Sequence, residues 1–207
     1  MNIDNFIEEQ LLAAAMLRTA LATGYRSQIS GIAEAVVSTF LSGHKLLLCG
    51  NGGSASDAEH IAAEFVGRFR RNRIPLPAIA LTANGANLTA IGNDFGFEDV
   101  FARQVEALGQ PGDLLIALST SGQSRNILRA VETARAGGLT TVGLTGARGA
   151  EFASACTLCL VVPSAETAQI QECHMAVCHL VCEVVDEAVL SRQTAEVIDG
   201  PLHRAFA

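Results

Sequence analysis

The chain has 207 residues, 49 % of them hydrophobic and 17 % charged, with 14 Lys+Arg against 21 Asp+Glu and a formal net charge of -7. This composition excludes a disordered chain. The acidic balance argues against nucleic acid as a partner, since non-specific binding needs a basic footprint, though a local basic cluster can still meet a small anion. One domain spanning residues 1–207 is expected, large enough to form a core without disulfide or metal staples. No run of about 18 apolar residues lacks charge or glycine. The opening MNIDNFIEEQ has neither a basic nor an apolar signal region. A cytoplasmic protein with no membrane partner is therefore expected. The surplus apolarity, a mean hydropathy of +0.32, points to a large subunit interface.

Residues 4–22 and 26–42 carry apolar residues at helical spacing and are separated by Gly24, which reads as a helical hairpin over about 3–42 with Asp4 as its N-cap. Short apolar runs follow at Lys45–Cys49, Ala78–Leu81, Leu114–Leu118, Thr141–Leu144 and Leu158–Val162. Unbroken apolarity over so few residues fits strands buried on both faces of a parallel sheet. Segments 54–69, 97–108, 124–137 and 149–155 are long enough for crossover helices, and a long amphipathic segment, 166–192, closes the fold. The expected class is α/β, a doubly wound five-stranded parallel sheet over about 44–165 flanked by helices. The residues from Ser191 onward, 193–207 in particular, read as a frayed or extended tail. Cys49, Cys156, Cys159, Cys173, Cys178 and Cys182 lie in apolar runs without framework spacing, so reduced thiols are expected. Cys156-x-x-Cys159 has a redox-like spacing, but it opens the apolar run TLCLVV and reads as small core residues.

In open α/β sheets ligands bind beyond the carboxyl ends of the strands, where strand order reverses. The first strand is followed by Gly50-Asn51-Gly52-Gly53-Ser54-Ala55. This matches a permissive dinucleotide fingerprint, but the second strand ends Leu81-Thr82-Ala83-Asn84 without the acid that would hold a ribose. No nucleotide cofactor is therefore expected. What remains is a glycine turn offering backbone N–H groups to an anion. The third strand is followed by Ser119-Thr120-Ser121-Gly122-Gln123-Ser124 at a helix start. Four hydroxyls exceed what capping requires and suit a phosphate monoester. Two such loops on neighbouring strands suggest a sugar phosphate.

His60 and Glu64, four apart on the next helix, lie about 40° apart on one face. Gln171 and His179, eight apart on the last helix, lie about 80° apart, whereas His174 points about 140° away from His179. Taken singly, these are ordinary solvated pairs or core histidines. Together, two nitrogen and two oxygen donors suit zinc or a similar divalent ion. A carboxylate and an imidazole equally suit an acid–base pair. Asn93 and Asp94, in GNDFGF, read as turn residues capping the helix at 97–108. Arg68, Arg70, Arg71 and Arg73 read as a solvated helix end, the alternative being that one of them reaches a ligand.

The segments CGNGGSASDAEH, AAEFVGRF, PAIALT, GNDFGFEDVFARQVEALG, GDLLIALSTSGQSRN and IQECHMAVCH closely resemble the phosphoheptose (sedoheptulose 7-phosphate) isomerases of the SIS fold family. The resemblance covers roughly residues 2–192. It implies conversion of sedoheptulose 7-phosphate to D-glycero-D-manno-heptose 7-phosphate, the first step towards the ADP-heptose of lipopolysaccharide, by a homotetramer with active sites at subunit interfaces. It implies Glu64 and His179 as the catalytic pair and Ser119, Thr120, Ser121 and Ser124 on the phosphate. Asn51, Gly52, Gly53, Asn93, Asp94 and Gln171 would contact substrate, and His60, Glu64, Gln171 and His179 would ligate zinc. Two positions depart from the pattern: Gln169 stands where many relatives carry Arg, and Ala168 where some carry Asp. Both bear on hydroxyl contacts and substrate preference. The alternatives are a regulatory binding protein of the DnaA initiator-associating type, which lacks the late histidine, and an isomerase of a different sugar phosphate.

Overall fold

The structure, a computed structural model, describes residues 1–198. It opens with α1 (Ile3–Gly24) and α2 (Arg26–Leu41), joined at Tyr25. There follow β1 (Leu46–Gly50), α3 (Gly53–Val66), β2 (Ala78–Ala80), α4 (Gly85–Asp94), a 3-10 turn (Phe97–Asp99) and α5 (Ala102–Leu108). Then come β3 (Leu114–Ser119), α6 (Arg125–Ala136), β4 (Thr140–Gly146), α7 (Ala150–Ala155), β5 (Leu158–Val162) and α8 (Thr167–Ile198). The five strands form one parallel sheet in the order β2-β1-β3-β4-β5. The chain reverses direction across the sheet between β1 and β3, which fixes where a ligand crevice opens.

Alternation along the central strands feeds two cores. Leu46 and Leu48 of β1, with Leu114, Ile116 and Leu118 of β3, pack towards α2, α3 and α8. Leu47 and Cys49, with Leu115 and Ala117, pack towards α5, α6 and α7. Burial on both faces is why these strands carry no polar alternation. The helices show the complementary stripe: in α6, Ile127, Ala130, Val131 and Ala134 recur at i, i+3, i+4 and i+7, all fully buried. Phe65 of α3 is also fully buried, its ring 5.1 Å from that of Phe40 of α2. One such side chain stabilises the fold by about 1.5–3 kcal/mol.

At the amino ends of β1 and β3, Asp113 accepts from the Lys45 N–H at 3.0 Å and the Gln110 N–H at 2.8 Å, and it pairs with the Lys45 ammonium. Burial opposes the charged carboxylate, but these bonds outweigh it and hold the Asp113 pKa below its ordinary value. The arrangement clamps the two strands that flank the crevice at the end opposite the loops that follow β1 and β3.

Four sequence expectations are corrected. Asn2, not Asp4, caps α1, its side chain accepting from the N–H groups of Asp4 and Asn5. The helix expected at 97–108 is preceded by a separate helix, α4, and is itself broken into the 3-10 turn and α5. Asn93 and Asp94 are therefore the last residues of α4 rather than turn residues. The closing helix runs six residues beyond 192, so 193–198 are helical, while the rest of the expected tail, 199–207, lies outside the described residues. The six cysteines form no disulfide, and Cys156 and Cys159 are half-buried side chains packed against the core on the α5–α7 side of the sheet. No described helix is long and apolar enough to cross a membrane.

Candidate active site

Beyond β1 the chain turns through Asn51 and Gly52, whose φ of +57° favours glycine. A side chain on Gly53 would meet the Gln171 amide at 2.5 Å, so this glycine lets α8 close against the loop. α3 then presents Asp57, His60 and Glu64 at spacings of three and four, which keeps them on one face. His60 Nε2 lies 3.0 Å from Glu64 Oε1. α8 brings His179 to the same place: ligand atoms of His60, Glu64 and His179 all lie within 4.8 Å of one another. The His60 and His179 rings meet edge-on, centroids 5.2 Å apart. An open cleft of about 690 Å³ lies against this group, bounded by Asp57, Gln171, Glu172 and His179, with Arg18 reaching in from α1.

Beyond β3, Ser119 Oγ accepts from the Gly122 N–H at 3.2 Å and lies 3.5 Å from Ser124 Oγ. Ser121 Oγ accepts from the Gln123 N–H. Ser124 occupies the N-cap of α6 yet makes no side-chain capping bond. Its hydroxyl and the first N–H groups of α6 thus face the same end of the sheet without a shared internal partner. Gly122, with φ +67°, packs so closely on Gly149 that a side chain would fall 2.4 Å from its Cα. Thr120 is tied through its carbonyl to the Gly146 N–H at 3.1 Å. The two loops are joined to each other: Asn51 and Asn126 exchange paired amide hydrogen bonds, both 2.9 Å. Asn93 and Asp94 sit at the exposed end of α4, hydrogen-bonded to each other at 2.7 Å. Among the described residues, no hydrogen bond ties them to the histidine–glutamate group.

A family model described as the SIS domain matches residues 12–146. A phosphoheptose isomerase of Roseiflexus sp. is 61 % identical over 161 residues, covering 78 % of this chain and 82 % of that one. The chain belongs to the phosphoheptose isomerases of the SIS-domain family. Solved structures agree with the membership. The phosphoheptose isomerase of Neisseria gonorrhoeae superposes with a TM-score of 0.85 at 36 % identity, covering 90 % of this chain and 100 % of that one. The Francisella tularensis enzyme gives 0.86 at 37 %, with the same coverage. The chain is therefore a sugar-phosphate isomerase.

The donor group fits a divalent metal of the zinc class, since two imidazoles and a carboxylate converge with one side open to the cleft. A second observation concerns Asp57, which sequence reasoning did not single out. It is 8 % exposed, and its Oδ2 has no hydrogen-bond partner. Burial raises its pKa, against opposing contributions from the Gln171 amide and His60. A buried carboxylate oxygen left open beside imidazoles and an amide marks an environment prepared for positive charge or a proton. Asn126 was also missed: it follows the hydroxyl run, but only the fold shows that it faces Asn51. His174 is buried, its Nε2 3.3 Å from the Thr145 carbonyl, on a different side of α8 from His179.

Proposed function

We infer that the chain interconverts D-sedoheptulose 7-phosphate and D-glycero-D-manno-heptose 7-phosphate through an enediol, the first step towards ADP-heptose and the lipopolysaccharide core. The observation that carries this reading is the convergence of His60, Glu64 and His179 beside two anion-ready loops at the reversal point of the sheet. Family membership narrows the chemistry to aldose–ketose isomerisation of a phosphorylated heptose.

A proton leaves C1 of the ketose, giving the enediol, and a proton is delivered to C2, while another moves from the C1 oxygen to the C2 oxygen. One group must act as base and one as acid, and both must reverse roles. Glu64 and His179 are that pair. Ser119, Thr120, Ser121 and Ser124, with the α6 N-terminus, hold the phosphate. The Asn51–Gly52–Gly53 turn, Asn93, Asp94 and Gln171 hold the sugar hydroxyls. His60, Glu64, Gln171 and His179 would hold one zinc ion per subunit; when bound, it polarises the carbonyl oxygen. A residue ligating zinc tightly is a weakened base, so the acid–base roles of Glu64 and His179 carry more of this reading than the ion does. The enzyme works as a cytoplasmic homotetramer without a nucleotide cofactor. The regulatory-protein alternative has no use for His60, Glu64 and His179 held together.

Sedoheptulose 7-phosphate incubated with the protein in D₂O and followed by proton NMR tests the reading. A new heptose 7-phosphate is expected, its deuterium content at C2 reporting how well the site shields the migrating proton. No turnover by intact protein supplied with zinc would overturn it, leaving a different sugar phosphate or a regulatory role.

A further inference from the structure

The basic run after α3, expected to cover a solvated helix end, contains a buried latch. The Arg73 side chain is 0 % exposed and that of Asp186, on α8, is 1 % exposed. Arg73 Nε donates to Asp186 Oδ1 at 2.7 Å. Its Nη1 donates to the carbonyls of Phe65 and Ile74, and its Nη2 to the carbonyl of Glu64 at 2.9 Å. Asp186 Oδ2 accepts from the N–H groups of Arg70 and Arg71, both at 3.1 Å. A buried ion pair is seldom a more stable choice than apolar residues of the same volume, so its use invites the question of what it positions.

It joins the two catalytic helices. Arg73 grips the backbone of the last turn of α3 at Glu64 itself. Asp186 lies seven residues beyond His179, two turns along the same face of α8. The loop between them is fixed by the Arg70 and Arg71 N–H groups, and the residue immediately before these is Phe69. Its ring is stacked on His179, with centroids 5.3 Å apart and planes 15° from parallel. His60 meets His179 edge-on at 5.2 Å. No hydrogen bond to the His179 ring is present among the described residues. Metal-ligating imidazoles are usually oriented by a hydrogen bond to the second ring nitrogen. Here the contacts to the His179 ring are aromatic.

We propose that Phe69 is a positioning residue that sets the plane of the His179 ring, held in place by the Arg73–Asp186 pair, and so preorganises the His60–Glu64–His179 group for a divalent cation. The proposal rests on the active-site reading above and adds a determinant outside its ligands.

The test compares wild type, Phe69→Leu and Phe69→Tyr as full-length, chelator-treated proteins titrated with zinc against a chromophoric competitor. Circular dichroism and the thermal midpoint of each are recorded alongside, with kcat and KM for sedoheptulose 7-phosphate. Phe69→Leu keeps an apolar side chain at a half-buried position but removes the ring. Its zinc affinity should fall roughly 10-fold or more, the usual scale for losing an orienting partner, with kcat falling further than KM rises. Phe69→Tyr keeps the ring and should restore zinc affinity to within about 3-fold of wild type, well inside that scale. A folded Phe69→Leu with unchanged zinc affinity overturns the positioning role and leaves the active-site reading standing. Equal losses in both variants overturn it too, because crowding rather than stacking would then govern the position. A wild type that neither binds zinc nor turns over substrate defeats the active-site reading, and the proposal falls with it.

Discussion

Glu64 and His179 are 115 positions apart in the sequence, yet their ligating atoms come within 4.8 Å because α3 and α8 pack on the same face of the sheet. If they are the exchanging acid and base, Glu64→Gln and His179→Ala should each lower turnover by at least about 100-fold. Glu64 is half-buried and His179 borders the open cleft, so neither belongs to the fully buried core, and circular dichroism and the thermal midpoint should stay near wild type. Steady-state assays of either variant at wild-type rate would remove the pair. His174, five residues from His179, supplies a prediction of another kind. The unfolded imidazole takes a proton near pH 6.5. In the fold, burial pushes its pKa down to about 4, only partly opposed by the bond to the Thr145 carbonyl. Between those values the unfolded chain binds more protons, so this contribution to stability is complete above about pH 6.5 and is lost as pH falls towards 4. The full loss is about 3 kcal/mol. Denaturant midpoints measured from pH 7.5 to 4 should therefore fall, and the fall should be shallower in His174→Leu. An equally steep fall in that variant would assign the acid sensitivity elsewhere, Asp113 being the next group to lose its pairing as pH drops further.

Between elements, the Arg73–Asp186 pair separates stability from geometry. Truncating one partner, as in Asp186→Leu, strands a buried guanidinium and should cost about 3–5 kcal/mol, whereas Arg73→Met combined with Asp186→Leu should recover most of that. Chemical denaturation of the two variants measures the difference; a double variant as unstable as the single would mean that the Arg73 bonds to the α3 carbonyls carry the stability instead. The loop proposed to hold the phosphate is testable in the same way. Ser121→Ala with Ser124→Ala should raise KM for the phosphorylated sugar with little loss of fold, because Ser124 makes no capping bond in α6. An unchanged KM would place the phosphate elsewhere. The positions of both loops were legible in the sequence, since glycines and hydroxyls between an apolar run and a helix mark a strand–helix turn. The five strands were legible for a related reason: burial on both faces leaves an unbroken apolar signature. α4 was not. GANLTAIGND contains two glycines, two asparagines and no buried residue, so neither propensity nor periodicity marks it, and its N-cap bond, donated by the Asn87 N–H to the Asn84 side chain, is visible only in three dimensions. From the sequence Arg73 reads as solvated because its partner lies 113 positions away. Asp57 carries no sequence signal, because a single acid near a helix start is common; its setting comes from Gln171 and His60 beside it.

At the scale of the whole molecule, apolar surface is left uncovered. On α1 only Leu17 and Leu21 are buried, while Ile3, Phe6, Ile7, Leu11, Leu12 and Met16 are each between 45 % and 74 % exposed. On α8, Leu180 and Val184 are about half exposed as well. A single copy in water seldom presents so much contiguous apolar side chain unless another surface covers it. Isolated helices also draw most of their stability from packing an apolar face, and α1 has little of its own chain to pack against. The occupant that agrees with the proposed homotetramer is further copies of the same chain. Activity should depend on that assembly, because α1 also carries Arg18, which reaches into the cleft beside Gln171 and His179. Displacing α1 therefore alters the cleft without touching Glu64 or His179. Sedimentation equilibrium of the wild type should give the mass of four chains. Phe6→Glu with Leu11→Glu places two charges on the exposed face and should yield smaller species with the sheet core intact by circular dichroism. Turnover of that variant should fall and should recover as protein concentration rises. A wild type that sediments as one chain, or a dissociated variant with full activity, would break the link between the uncovered face and the chemistry.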